Sequence, residues 1–311
     1  MQVLFLHPNP AVFPAWQQKM AAMAPHFQLT TLAQQTDLTH INAVLAWQPE
    51  AGVFPKLPNL QLIQSLGMGV DHLLACPDLP AHVPISRVVD NDMPKQMSEY
   101  VLYGVLKAFQ QLQHYQLQQR QQLWQPLARR HAQQFHLGIM GYGALGQAVA
   151  AHLHHNGFQQ LRAWARTKKT STVARTYAGP EAFNDFLTGL DVLVCLLPLT
   201  RQTQHILNLQ TLSALNPGAF LINPARGQHV VEEDLLTLLA NGHLSGALLD
   251  VFSTEPLPAQ HPFWQHPRIE VTPHIAAKTN VNTVMAQIVD NLERLQRGAP
   301  LLNVINRERE Y

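Results

Sequence analysis

Short apolar runs alternate with stretches in which apolar residues recur every three or four positions, and this rhythm covers nearly the whole chain. Val3–Leu6, Ala43–Trp47, Leu60–Leu66 and Ile85–Val89 read as strands, and Phe13–Met23 as a helix between the first two. Strands alternating with helices imply a parallel sheet joined by crossover helices. A long helical pattern runs from about Met93 to Leu123 and gives way to Trp124-Gln125-Pro126-Leu127 and the basic pair Arg129-Arg130. The rhythm then restarts. Leu137–Met140, Leu161–Ala165, Val192–Leu196, Ala219–Asn223, Gly246–Asp250 and Ile269–Thr272 read as strands. Ala144–His155, Leu209–Leu215 and Val231–Ala240 read as helices, the last stopped by Asn241-Gly242. Asn280–Arg297, closed by Gly298, is one more helix. The pattern is α/β throughout, in two units.

A length of 311 residues agrees with two domains rather than one core. Charged residues make up only 13%, about half the usual share, and the formal net charge is +1. No global field draws the chain to nucleic acid or to an anionic membrane, and Arg129-Arg130 is too short a basic run to change that. No stretch reaches about 18 consecutive apolar residues, so no membrane span is expected. The start of the chain has neither a basic segment nor an apolar run of signal-peptide length. Cys76 and Cys195 are too few and too scattered for a disulfide framework, and Cys195 falls inside an apolar run. The expected location is the cytoplasm. His152, His154 and His155 share one helical stretch but have no Cys or carboxylate beside them, so no metal site is expected.

Chemistry enters at Gly141-Tyr142-Gly143-Ala144-Leu145-Gly146, which follows one expected strand and opens an expected helix. In that context Gly141 permits a tight turn, Gly143 lets backbone approach a pyrophosphate, and Gly146 lets the helix pack on the strand. Free N–H groups at the helix start then face the phosphates. The acidic residue that would bind the ribose 2′-hydroxyl of NAD belongs about 20 residues further on. This chain has Arg166 there, in Arg166-Thr167-Lys168-Lys169, with no carboxylate between Arg162 and Lys169. A basic cluster suits the 2′-phosphate of NADP, so NADPH is the expected cofactor and NADH the less favoured one.

Three later segments each follow an expected strand: Asn223-Pro224-Ala225-Arg226-Gly227, Asp250-Val251-Phe252-Ser253-Thr254-Glu255-Pro256 and Thr272-Pro273-His274-Ile275-Ala276-Ala277. Ligands of open parallel sheets bind beyond the carboxyl ends of strands, so Arg226, Glu255 and His274 can converge. Arg226 can grip a carboxylate with its planar fork, His274 can deliver a proton to a carbonyl oxygen, and Glu255 can orient the imidazole. Taken singly, each also fits a structural role: a surface ion pair, a loop acid, a satisfied histidine.

Together these segments resemble the D-2-hydroxyacid dehydrogenase family, which carries N-x-[SA]-R-G, D-V-F-x-x-E-P-L and P-H-x-A runs in this order. Leu137 to Gly146 is similar to the family's cofactor signature. Leu66-Gly67-Met68-Gly69-Val70-Asp71 resembles its substrate loop, and Leu197-Pro198-Leu199-Thr200 with Thr203 the loop that passes under the cofactor. Within the family the likeness is nearest to the bacterial A-type glyoxylate/hydroxypyruvate reductases. It rests on Ala46-Trp47, Trp124-Gln125-Pro126-Leu127, Arg166-Thr167 and the terminal Arg307-Glu308-Arg309-Glu310-Tyr311.

The resemblance implies two Rossmann-like, doubly wound domains with a cleft between them. Residues 1–95 and 279–311 would form a discontinuous substrate domain, and residues 96–278 the dinucleotide-binding domain. It implies Arg226, Glu255 and His274 as catalytic residues. Besides the glycine loop and Arg166, Thr167 and Lys168, it implies cofactor contacts at Leu197, Pro198, Thr203, Pro224, Ala225 and Asp250. Trp47, Met68, Gly69 and Arg226 would meet a small 2-oxo acid, and the assembly would be a homodimer with the Trp124–Leu127 arm in its contact. Pro224 inside the Arg226 run, and Met93 and Met97 at the start of the long helix, can reshape the pocket. The same fold also serves dinucleotide-sensing corepressors, and an enzyme acting on a bulkier 2-oxo acid is a further alternative. Turnover of NADPH with a 2-oxo acid separates the enzymes from the corepressor.

Overall fold

A computed structural model describes residues Met1–Tyr311. The chain begins with β1 (Gln2–Leu6), α1 (Phe13–Met23), β2 (Gln28–Thr30), β3 (Ala43–Ala46), β4 (Leu62–Ser65), α2 (Asp71–Leu74) and β5 (Ile85–Ser86). It continues through α3 (Met93–Phe109), α4 (Leu112–Arg120), β6 (Leu137–Met140), α5 (Ala144–His155), β7 (Leu161–Ala165) and β8 (Arg175–Ala178). Then come α6 (Phe183–Leu187), β9 (Val192–Cys195), α7 (Leu209–Ser213), β10 (Ala219–Asn223), α8 (Glu232–Ala240), β11 (Leu244–Leu249), β12 (Ile269–Val271) and α9 (Val281–Arg297). Backbone proximity divides the chain into two compact units, Met1–Asp92 with Thr279–Tyr311, and Met93–Lys278. No helix is long and apolar enough to cross a membrane.

The first unit holds a five-stranded parallel sheet in the order β2-β1-β3-β4-β5. Successive side chains of a strand face opposite ways, so both faces of a buried sheet must be covered. Val3, Phe5, Leu45 and Leu62 pack on one face with Trp16 and Met20 of α1 and Val284, Met285, Ile288 and Leu292 of α9. Leu4, Leu6, Val44 and Ile63 pack on the other with Phe54, Leu57 and Leu73. Helix α9 therefore completes a core begun almost three hundred residues earlier. Buried Asn291 fixes it there, donating to Gln64 Oε1 at 3.0 Å and Ser86 Oγ at 2.8 Å.

The second unit holds a seven-stranded parallel sheet in the order β12-β11-β10-β9-β6-β7-β8. Val101, Val105, Val149 and Leu153 of α3 and α5 cover one face, and Phe186, Leu212, Leu235 and Leu239 of α6, α7 and α8 the other. The strand order reverses between β6 and β9, and such a switch point opens a crevice at the carboxyl ends of the strands.

The helical stretch expected over Met93–Leu123 is two helices, not one. Gln111 lies at φ +57°, and α3 stops before it. The Ala108 carbonyl instead accepts from the Gln111 N–H at 3.1 Å and from Arg130 Nη1 at 2.9 Å. The strand expected over Ile85–Val89 ends at Ser86. Beyond it the chain pairs with the C-terminal segment, with the Arg87 N–H donating to Asn303 O at 3.1 Å. Strands β2 and β8 have no counterpart in the sequence pattern. They are edge strands of three and four residues, and no residue of β8 is buried, so neither leaves an apolar run.

Candidate active site

The glycine loop joins β6 to α5, beside the switch point. Gly141 sits at φ +99°, and a β-carbon there would lie 2.6 Å from the Leu196 carbonyl oxygen. A β-carbon on Gly146 would lie 2.0 Å from the Gly141 carbonyl oxygen, so helix and turn touch backbone to backbone. Gly143 caps α5, and a β-carbon there would meet nothing within 4 Å. Open space thus lies over a helix start whose first N–H groups, on Ala144, Leu145 and Gly146, have no carbonyl one turn before them. This arrangement fits a pyrophosphate. The Tyr142 side chain is buried, its hydroxyl 2.6 Å from Ser171 Oγ.

Arg166, Thr167, Lys168 and Lys169 are exposed just after β7, and the Thr176 hydroxyl holds the Lys169 carbonyl at 2.8 Å. These residues gather positive charge where a 2′-phosphate would lie, so this end of the site also fits the phosphorylated dinucleotide. The loop after β9 carries Leu197, Pro198 and Thr203. The Thr203 hydroxyl closes it on the Pro198 carbonyl at 2.7 Å and accepts from the Thr200 N–H at 2.9 Å.

At the ends of β10, β11 and β12 the structure brings Arg226, Glu255 and His274 together. Asn223 is fully buried, and its amide shapes the turn that contains Pro224. It donates to the Arg226 carbonyl at 2.9 Å and accepts from the Ala225 N–H at 3.2 Å. Arg226 Nη1 bonds the Ala225 carbonyl at 2.7 Å. A β-carbon on Gly227 would lie 1.8 Å from the Phe252 carbonyl carbon, so the Arg226 turn rests on the start of the Glu255 loop. Glu255 Oε1 accepts from the Phe252 N–H at 3.0 Å, and its Oε2 lies 2.7 Å from His274 Nδ1. A carboxylate at Nδ1 fixes the proton on that nitrogen and leaves Nε2 to exchange one with a ligand. Burial alone pushes the Glu255 carboxyl up. Hydrogen bonds from His274 and Phe252, with the charges of His274 and Arg226, outweigh burial and hold it below its ordinary value.

Asp250 lies under this loop. Its carboxylate accepts from the Thr272 hydroxyl and from the N–H groups of Ile275 and Ala276, while its carbonyl accepts the His274 N–H. Asn223, Tyr100 and Thr272 support the site but carried no separate signal in the sequence. Asn223 falls inside a recognisable run, whereas Tyr100 is one aromatic in a long helical pattern.

In the first unit Trp47, Met68 and Gly69 lie at the carboxyl ends of β3 and β4. The Trp47 ring packs on Gly67, where a β-carbon would lie 2.5 Å from Cζ3, and on the His72 ring at a centroid distance of 4.2 Å. The Ser65 hydroxyl donates to the Gly67 carbonyl at 3.0 Å and folds the Met68–Gly69 loop.

The family model for the D-isomer specific 2-hydroxyacid dehydrogenase NAD binding domain matches residues 102–276, more than half of the chain. Curated relatives called glyoxylate/hydroxypyruvate reductase A include one from Yersinia enterocolitica, 39% identical over 100% of both chains. Another, from Serratia proteamaculans, is 42% identical over 98% of each. Among solved structures, a D-isomer specific 2-hydroxyacid dehydrogenase from Xanthobacter autotrophicus Py2 in complex with NADPH and MES superposes with a TM-score of 0.92. It is 35% identical, with 100% of this chain and 99% of that one covered. An NADPH-dependent glyoxylate/hydroxypyruvate reductase from Sinorhizobium meliloti, in complex with NADP and sulfate, has a TM-score of 0.90 at 33% identity and the same coverage. With its ordered strand-end motifs, its sheet reversal at the glycine loop and these full-length likenesses, the chain belongs to the D-isomer specific 2-hydroxyacid dehydrogenase family.

Proposed function

We propose that the protein reduces a small 2-oxo acid, glyoxylate or hydroxypyruvate, to the 2-hydroxy acid, with NADPH as the hydride donor. The observation that carries this reading is the 2.7 Å pairing of His274 Nδ1 with Glu255, beside Arg226 at the same sheet edge. When bound, the dinucleotide would supply hydride to the keto carbon. Arg226 grips the substrate carboxylate, and its bond to the Ala225 carbonyl limits the rotation of the guanidinium. His274 gives the proton at Nε2 to the keto oxygen, so that hydride and proton together make the alcohol. Glu255 holds the ring through Nδ1, which turns Nε2 toward the substrate. The N–H groups at the start of α5 bind the pyrophosphate, and Arg166, Thr167 and Lys168 bind the 2′-phosphate. Leu197, Pro198, Thr203, Pro224 and Ala225 form the remaining cofactor surface; Asp250, expected there too, is buried and holds the His274 loop instead. Contacts with the substrate are assigned to Trp47, Met68 and Gly69.

The same reading includes a cytoplasmic homodimer. Its support is Trp124, 98% exposed on an arm that Tyr115 holds through a 3.0 Å bond to the Leu127 N–H, with Leu112 and Leu123 also exposed nearby in sequence.

The test is NADPH consumption over a panel of 2-oxo acids. Glyoxylate and hydroxypyruvate should exceed branched and aromatic substrates in kcat/KM. His274→Asn should lower kcat by about 10²–10⁴ while NADPH binding holds. A wild-type enzyme inert toward every 2-oxo acid refutes the activity, and a His274→Asn variant with full turnover removes His274 as the acid.

A further inference from the structure

The segment carrying His274 is bent around one buried side chain. Asp250 is 1% exposed and follows β11. Three consecutive N–H groups point at it: His274 to its carbonyl, Ile275 to Oδ1 and Ala276 to Oδ2, each at 2.8 Å. To present them His274 adopts φ +54°, a left-handed conformation that a residue with a β-carbon rarely takes up. The loop keeps this shape only while its partners hold it.

One more donor reaches Asp250 Oδ1, the Thr272 hydroxyl at 2.6 Å. A carboxylate only accepts, so Thr272 donates its single proton there. The Tyr100 hydroxyl, 2.7 Å from Thr272 Oγ1, must then be the donor in that pair. Burial, together with the Asp250 charge, pushes the Tyr100 phenol up, so it keeps the proton it donates. Tyr100 stands on α3, which is held beside β12 one and two turns on, where Tyr103 donates to Glu270 at 2.7 Å and Lys107 pairs with the same carboxylate. A directional chain therefore runs from a pinned helix through Tyr100, Thr272 and Asp250 to the backbone of His274.

We propose that Tyr100 and Thr272 are positioning residues for proton transfer, holding the His274 loop through Asp250 so that the imidazole stays aligned on Glu255. This rests on the catalytic role given to His274 above. Neither residue touches the reacting atoms, so their removal should act on kcat rather than on ligand binding.

The experiment follows the low-field Nδ1 proton of His274 by NMR in the full chain, with kinetics on the same variants. The resonance is assigned by its loss in His274→Asn. Thr272→Val, which keeps the shape but not the hydroxyl, should shift or broaden it and lower kcat by about tenfold, with KM and NADPH affinity changed less than about twofold. Thr272→Ser restores the hydroxyl and should recover both. Tyr100→Phe removes one bond of the chain and should move both readouts in the same direction by less, which decides the matter if Thr272→Val does not fold. An unchanged resonance and wild-type kcat in Thr272→Val, even with lowered thermal stability, overturns the proposal. So does a Thr272→Ser variant as impaired as Thr272→Val. If wild type reduces no 2-oxo acid, the reductase reading falls, and the response of the resonance still decides the positioning role.

Discussion

The glycine loop allows folding and dinucleotide binding to be separated by a single methyl group. Gly143 has φ −83° and ψ −160°, which alanine adopts freely, and its β-carbon would enter open space. Alanine is a poorer N-cap than glycine by roughly 0.5 kcal/mol, but it restricts the unfolded chain by about 0.4–1 kcal/mol, so the two effects nearly cancel. Gly143→Ala should melt close to wild type. The added methyl would stand where a pyrophosphate must approach the helix start. Losing one charge-assisted bond of about 1.5–3 kcal/mol weakens the dissociation constant roughly ten- to hundredfold. Gly146→Ala is the converse. Its β-carbon would lie 2.0 Å from the Gly141 carbonyl oxygen, a backbone atom that cannot swing aside. Overpacking of this kind costs about 1–3 kcal/mol, which in a unit of this size lowers Tm by roughly 2–12 °C. The assays are thermal unfolding without ligand and titration of NADPH fluorescence. If Gly143→Ala binds NADPH as wild type does, the pyrophosphate does not cross that glycine and the cofactor placement is wrong. If Gly146→Ala melts like wild type, the backbone contact carries no energy.

Two further outcomes follow from the charges. Wild type should favour NADPH over NADH in kcat/KM by at least about tenfold, and Arg166→Ala should lose most of that margin through KM, because each guanidinium–phosphate bond contributes about 1.5–3 kcal/mol; an unchanged ratio makes the cluster a solvated loop. Glu255 is held below its ordinary value of 4.5 in the fold, so its stabilisation is present above that pH and is lost as pH falls through the lower folded value. Thermal melts between neutral pH and about pH 3 should therefore fall more steeply in wild type than in Glu255→Gln, and parallel profiles would show that the pair does not couple to stability.

Local rules were enough for the centre of each sheet. Leu137–Met140 is an unbroken apolar run between His136 and the turn glycine Gly141, and Ala144–His155 opens on glycine and closes before Asn156-Gly157. Both elements have the bounds read from the sequence, because a strand buried on both faces and a helix with one apolar face imprint their periods directly. The strand-end positions of Arg226, Glu255 and His274 were legible for the same reason, since a parallel sheet delivers the residue after each strand to one edge. Other features depend on partners distant in the chain. Edge strands β2 and β8 exist through pairing with β1 and β7, not through an apolar pattern of their own. The break after α3 depends on Arg130, some twenty residues on, taking the Ala108 carbonyl. The direction of the Asp250 carboxylate was beyond sequence reasoning too: the side chain could serve a ligand or its own backbone. Only the folded chain, by bringing Thr272 and Tyr100 from 22 and 150 residues away in sequence, turns it toward the His274 loop. Hydrogen bonds of this kind are set by three-dimensional proximity and proton count, and neither has a period along a sequence.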